Sequence, residues 1–254
     1  MNSLLLAAAF LLATPAAAAT GGNDFLRGSV VKSDKWKMDR VKDTEEFTGS
    51  VSFRNPLYTL KADHAVYLRA RSAWDLDGSV YALRSFADAS GVEMFCDRAR
   101  YLENAEEAFL ERGALPVRMK YRGADDRTLD GRSDRAKAEN QKRLMHFSGD
   151  FALATENLDM YSDRGLYDDT QKTFLLYNST GVPDGDPALQ PGTCTRLPGT
   201  SLPAAIGKRE GYDFAIAAES MKFFRDSRDI KFYNKVSGWV KDVPARDAAP
   251  AMRP

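Results

Sequence analysis

The sequence predicts an all-β protein made by stacking short antiparallel strands, and three observations predict it. A segment Tyr58-Thr-Leu-Lys-Ala-Asp-His-Ala-Val-Tyr67 returns as Val92–Tyr101, Leu129–Ala138 and Leu158–Tyr167, and in degenerate form as Phe214–Phe223. Within each copy apolar and polar residues alternate, which is the period of a strand. A second, Gly-centred segment interleaves with the first. It reads Phe47-Thr-Gly-Ser-Val-Ser-Phe53, Leu76–Leu83, Phe147–Leu153 and Val236–Val240, with Glu111–Val117 a weaker version. From acid to next Gly is 15 residues for Asp63 to Gly78, 16 for Asp97 to Gly113 and 15 for Asp134 to Gly149. Units this small cannot bury an apolar face alone, so they must stack and share one long interior.

Aligned on the acid (Asp63, Asp97, Asp134, Asp163, Glu219), the residues one, three and five before it are mostly apolar or small. After the acid, the residues at two and four places continue the alternation: Ala65, Ala99, Ala136, Gly165 and Met221, then Tyr67, Tyr101, Ala138, Tyr167 and Phe223. The small residue two places after the acid stands where neighbouring rows would crowd, which suits a strand that bends at a corner. A Gly inside a strand pattern marks a bulge or tight bend and gives the same corner on the neighbouring strand.

In chain order, residues 1–19 have the form of a cleavable secretory leader: an apolar run from Leu4 to Ala13, then Thr14-Pro15 and Ala17-Ala18-Ala19. The run is too short for a permanent membrane span, although no Lys or Arg precedes it. Export as a soluble protein is the expectation. Residues 20–243 form one all-β domain, with an irregular Pro- and Gly-rich insertion at 181–211, and residues 244–254 read as a disordered tail. Lys and Arg number 36 and Asp and Glu 36, so the formal charge is zero and a nucleic-acid partner is not favoured.

The search for chemistry is short. There are two His, no nucleophile elbow, no phosphate loop and no metal-ligand spacing, so neither a catalytic group, a metal nor a cofactor is expected. Asp63, Asp97, Asp134 and Asp163 recur once per repeat with His64, Arg98, Arg135 and Arg164 beside them. A structural column fits this pattern, each carboxylate bonding corner backbone and facing the base of a neighbouring row. A basic rim meeting phosphate groups is the sharper alternative. Cys96 and Cys194 would form a disulfide in an oxidising compartment, or Cys96 would remain a buried thiol on the apolar face.

The motifs Phe47-Thr-Gly-Ser-Val-Ser-Phe53, Leu60-Lys-Ala-Asp-His-Ala-Val-Tyr67, Phe147-Ser-Gly-Asp150 and Tyr161-Ser-Asp-Arg-Gly165 resemble the OstA-like domain of the lipopolysaccharide transport proteins. The resemblance covers roughly residues 36 to 180 and, more weakly, 212 to 243. It implies an open β-jellyroll, also called a β-taco, whose two sheets hold the acyl chains of lipopolysaccharide in an apolar slot. Such domains join other jellyroll transport proteins by edge-strand pairing into a periplasmic bridge. With a cleaved leader and no barrel domain, the chain is most similar to the LptA type, and a head-to-tail homo-oligomer is an implied state. Carried onto strand parity, the slot falls on Val51, Phe53, Tyr58, Leu60, Val80, Val92, Met94, Phe151, Leu153, Leu158, Met160 and Ile216. A structural or adhesive β-solenoid that polymerises by its edges without lipid is the competing reading. A periplasmic carbohydrate-active enzyme would need convergent carboxylates from non-equivalent positions, which the sequence does not offer.

Overall fold

The computed structural model describes residues 30–54, 58–178, 202–209 and 212–242. The leader, the tail, Cys194 and most of the 181–211 insertion lie outside them. Among the described residues the regular elements are strands and one 3-10 turn at Arg69–Arg71, so the all-β, antiparallel architecture is as expected. The strands are β1 Val30–Lys32, β2 Lys35–Asp39, β3 Thr44–Arg54, β4 Tyr58–Leu68, β5 Ala73–Ser85, β6 Gly91–Leu102, β7 Glu107–Glu111, β8 Val117–Arg122 and β9 Thr128–Ser133. They continue as β10 Arg135–Glu139, β11 Leu144–Ala154, β12 Leu158–Asp168, β13 Thr173–Tyr177, β14 Ala204–Arg209, β15 Tyr212–Ala217, β16 Ser220–Phe224, β17 Ile230–Tyr233 and β18 Ser237–Asp242. Strand β14 is a correction, because its residues were expected inside the irregular insertion. Its inward positions, Ala205 and Gly207, are too small to give an apolar rhythm.

The long strands bend at a corner, so their two halves belong to two facing ladders. The first ladder runs β1, the carboxyl half of β3, the amino half of β4, the carboxyl half of β5, the amino half of β6, then β8 and β9. It continues through the carboxyl half of β11 and the amino half of β12 to β14, β15 and β18. The second runs β2 and the complementary halves of β3 to β6, then β7, β10, the other halves of β11 and β12, and β13, β16 and β17. Facing side chains of both ladders form one apolar cluster. The Phe53 ring of the first ladder meets Trp74 of the second at 4.8 Å, edge to face.

The corner has a simple cause. In β3, Gly49 and Ser50 stand opposite the single residue Asp63, and β5 and β11 repeat this with Gly78-Ser79 opposite Asp97 and Gly149-Asp150 opposite Asp163. Both residues of each pair have positive φ, from 47° to 79°, which is why a Gly leads. The acid-to-Gly spacing has a physical origin too: a Cβ at Gly78 or Gly149 would lie 2.5 Å from the carboxylate of Asp63 or Asp134 on an adjacent strand. Asp34 sits in the same way under Gly49, so the acid column begins one turn earlier than the repeats suggested.

The register also reveals a tandem duplication. Lys32, Val31 and Val30 pair with Ser52, Phe53 and Arg54, and Arg132, Gly131 and Asp130 pair with Ala152, Leu153 and Ala154, one hundred residues further on. The same offset relates Trp36 and Phe47 to Ala136 and Phe147, and Tyr67 and Trp74 to Tyr167 and Phe174. Strands β1–β8 therefore correspond to β9–β18. The two halves join at a seam where β8 pairs with β9 and β7 with β10. At the corner where the first half has Gly78, the second has Asn178, whose Oδ1 accepts the Asp163 N–H at 3.0 Å. Strand β14 then takes the place of the carboxyl half of β5.

Candidate functional site

The two halves differ in how their interiors are filled. In the first, an apolar cavity of about 210 Å³ lies between the ladders, walled by Leu60, Leu76, Val80, Val92, Met94 and Met119 and reaching across the seam to Met145, Tyr167 and Phe174. In the second, the equivalent space is solid. Phe151 stands for Val51, Met221 for Ala99 and Phe214 for Val92, and Leu153, Met160, Leu176 and Phe223 have no exposed surface. Two glycines make this packing fit. A Cβ at Gly165, where the first half has Ala65, would lie 2.5 Å from Cδ1 of the Phe151 ring, and one at Gly207 would collide with the Phe214 ring.

The expected slot residues divide accordingly. Tyr58, Leu60, Val80, Val92 and Met94 line the cavity. Val51 and Phe53 lie outside its lining: Val51 is buried core, and Phe53 packs in an aromatic block with Phe47, Tyr67 and Trp74. Phe151, Leu153 and Met160 are packed core of the second half, and Leu158 packs against that core. Ile216 is half-buried near the carboxyl-terminal edge. Strand parity had placed all of these on the inner face but gave no measure of how bulky the facing ladder is. The second wall was missed: Leu76, Tyr101, Leu110 and Phe174 face the first-ladder residues, and the positions two and four after each acid were the signal for part of it.

Charged side chains stand where the cavity meets solvent. Arg84 lies over the rings of Tyr58 and Phe86, at 5.5 and 4.9 Å. Across from it Arg143 donates to Asp169 Oδ2 at 2.6 Å, and Lys172 donates to Asp169 Oδ1 at 2.5 Å. Burial would raise the Asp169 carboxyl, but the hydrogen bonds from Lys172 and Arg143 outweigh it and hold the group at about 2. Glu139 is similar: burial opposes ionisation, yet hydrogen bonds from Lys137, Lys142 and His146 bring it to about 2.

At the seam a clasp crosses from one ladder to the other. Arg225, at the end of β16, donates to the Tyr167 hydroxyl at 2.9 Å and lies 4.7 Å from the Tyr121 ring centroid. Arg127 donates to the Asp226 carbonyl at 3.2 Å, and Arg228 to the Thr128 carbonyl at 3.1 Å. The β16–β17 turn is thus tied to the β8–β9 turn, about a hundred residues earlier in the chain. Tyr121, Phe174 and Arg225 all border the cavity.

The corner column is distributed along the opposite side, the spine. Asp97 Oδ2 accepts the Ala114 N–H at 2.7 Å, Asp134 Oδ1 accepts from Arg112 at 2.6 Å, and Arg98 lies 3.3 Å from Glu111. Asp63 lies under Gly78, Asp163 is buried, and His64 lies 3.0 Å from Glu46. Arg135 is exposed and Arg164 half-buried, and none of these bases reaches the cavity lining. Cys96 is a buried free thiol in this structure, and burial pushes it up to about 12.

A larger space of about 620 Å³ lies on the outer face of the first ladder, across the seam. It is an open trough floored by Gly131, Ala152 and Ala154 and flanked by Phe95, Arg118 and Tyr161. Its walls mix charge of both signs, whereas the inner cavity is walled mainly by apolar side chains, with Arg84, Arg100, Glu139, Arg143, Asp169 and Arg225 also in its lining. No group of three or more His, Cys, Asp or Glu among the described residues could hold a metal ion.

Comparison with known proteins gives one kind of likeness. No family model matches the chain, and no curated protein matches it. Among solved structures, it is similar to the crystal structure of LptH from Pseudomonas aeruginosa, described as the LptA-homologous periplasmic component of a conserved lipopolysaccharide transport device. The identity is 11%, the match covers 66% of this chain and 95% of that one, and the TM-score is 0.27.

Proposed function

We propose that this protein is an exported, periplasmic lipid carrier that holds acyl chains of lipopolysaccharide, or of a related lipid, in the hollow first half. It acts by binding rather than by catalysis. The observation that carries the reading is the apolar cavity between the ladders with Arg84 and Arg143 at its margin, a place for a chain inside and a headgroup outside. Each buried methylene contributes about 0.8 kcal/mol, so even part of one chain is held usefully and can still be released. The repeat motifs that resemble the lipopolysaccharide transport family support the same reading. The exposed apolar residues at both ends of the stack, Val31 and Trp36 at one and Trp239 and Val240 at the other, suit edge-to-edge pairing within a bridge.

The test is photocrosslinking to purified lipopolysaccharide with a reactive amino acid at Leu60, Val92 or Met94, compared with outward Lys61 and Glu93 and with Met160 in the solid half. Crosslinks at the first three positions alone are expected. A folded protein that crosslinks nowhere would sink the carrier reading. The exposed edges would then favour a structural polymer, visible as concentration-dependent assembly without lipid.

A further inference from the structure

We infer that Tyr121, Phe174 and Arg225 are the blind end of the cavity, and that they set the length of the chain it accepts. The inference rests on the carrier reading and adds a size limit to it. The Tyr121 ring comes from the first ladder and Phe174 from the second, and the Arg225 guanidinium lies against Tyr121 while bonded to Tyr167. Beyond them toward the second half, Leu129, Phe147, Phe151 and Leu153 are at most 1% exposed, so no space continues along the stack. A chain that enters at the charged margin therefore meets a wall. The slot is a single-chain pocket and not a conduit running the length of the molecule.

A chain longer than the path from the charged margin to this wall would leave its remaining methylenes in water and gain nothing from them.

The experiment is calorimetric titration of the full chain with saturated fatty acids from hexanoate to palmitate, each below its micelle concentration. Affinity is expected to rise roughly fourfold per added methylene and to level before palmitate. Tyr121→Val, which shortens the wall, moves the plateau to longer chains. Arg225→Ala does the same from the other ladder and decides the matter should the Tyr121 variant fail to fold. Lys61→Ala, on the outer face, leaves the profile unchanged. Affinity that climbs steadily to palmitate in the unaltered protein overturns the blind end while leaving lipid binding intact. A plateau that neither variant moves overturns the role of these residues. No binding of any chain by the unaltered protein overturns the carrier reading itself.

Discussion

Glu103 and Arg225 occupy equivalent places in the two halves and bond equivalent tyrosines with opposite charge. Glu103 accepts from the Tyr67 hydroxyl at 3.0 Å and from Trp74 Nε1 at 2.9 Å, while Arg225 donates to Tyr167 at 2.9 Å. The carboxylate holds its partners within one block. The guanidinium has donors left over and a flat face, and it lies against Tyr121 on the other ladder.

Arg225→Glu should therefore open the clasp without removing the half-buried side-chain position. The lost cation–π contact and hydrogen bond together cost about 1–3 kcal/mol. Urea unfolding at neutral pH measures this, and amide exchange at Thr128 and Asp226 should quicken. Unchanged exchange at both turns would mean that the clasp does not hold the ladders together.

The solid half should tolerate less change than the hollow one. Met160→Ala removes a side chain with no exposed surface and should cost about 2–5 kcal/mol, whereas Leu60→Ala, its equivalent beside an existing cavity, should fall at or below the low end of that range. Gly165→Ala meets the Phe151 ring and should cost about 1–3 kcal/mol. Equal losses for Met160→Ala and Leu60→Ala in chemical denaturation would contradict the difference in filling.

Much of this was legible in the sequence, and the exceptions have physical reasons. Asp63, Asp97 and Asp134 with Gly78, Gly113 and Gly149 announced the corner, because each acid lies against the next Gly and fixes the spacing. Strand parity found the inner face. It could not separate hollow from solid, since Leu60 and Met160 have the same parity and similar size, and what differs is the residue across the interior, Ala99 against Met221. The duplication was visible as Phe47-Thr-Gly and Phe147-Ser-Gly, but the shorter repeat of strands concealed the longer one. Arg225 gave no signal, because its partners Tyr121 and Tyr167 lie far from it in sequence.

Stability should decline at both ends of the pH scale for identifiable groups. Glu139 and Asp169 are held at about 2 against ordinary values of 4.5 and 3.8, so the unfolded chain binds more protons between those values. Their contribution is present above that window and lost as pH falls through it. Cys96 is raised from 9.0 to about 12, so the folded state keeps a proton that the unfolded state loses, and stability falls as pH rises through that range. Urea midpoints across pH should show both slopes. Glu139→Gln should lessen the acid one and Cys96→Ala the alkaline one, to which the raised Tyr167 and Tyr177 hydroxyls also contribute, and a native thiol that reacts freely with iodoacetamide at neutral pH would contradict its burial.

The seam supplies a register for pairing between copies. Leu110 faces Ala136 and Met119 faces Gly131 there, and the equivalent edge residues are Phe232 with Trp36 and Gly238 with Val31. Head-to-tail assembly should therefore place Phe232 of one copy opposite Trp36 of the next. Cysteines at these two positions, in a chain lacking Cys96 and Cys194, should form intermolecular disulfides. A pair one residue out of register, with cysteines at Phe232 and Lys37, should crosslink less, and equal crosslinking of the two pairs would place the contact elsewhere.

The solid second half has an outcome for how this molecule can fail. A lesion in Phe151, Met160 or Phe223 should unravel the stack, whereas on the carrier reading one in Val92 or Met94 should leave it standing and empty. On that reading, loss of the scaffold and loss of the load fall at opposite ends of one polypeptide, and a library of random variants would sort into two camps along its length.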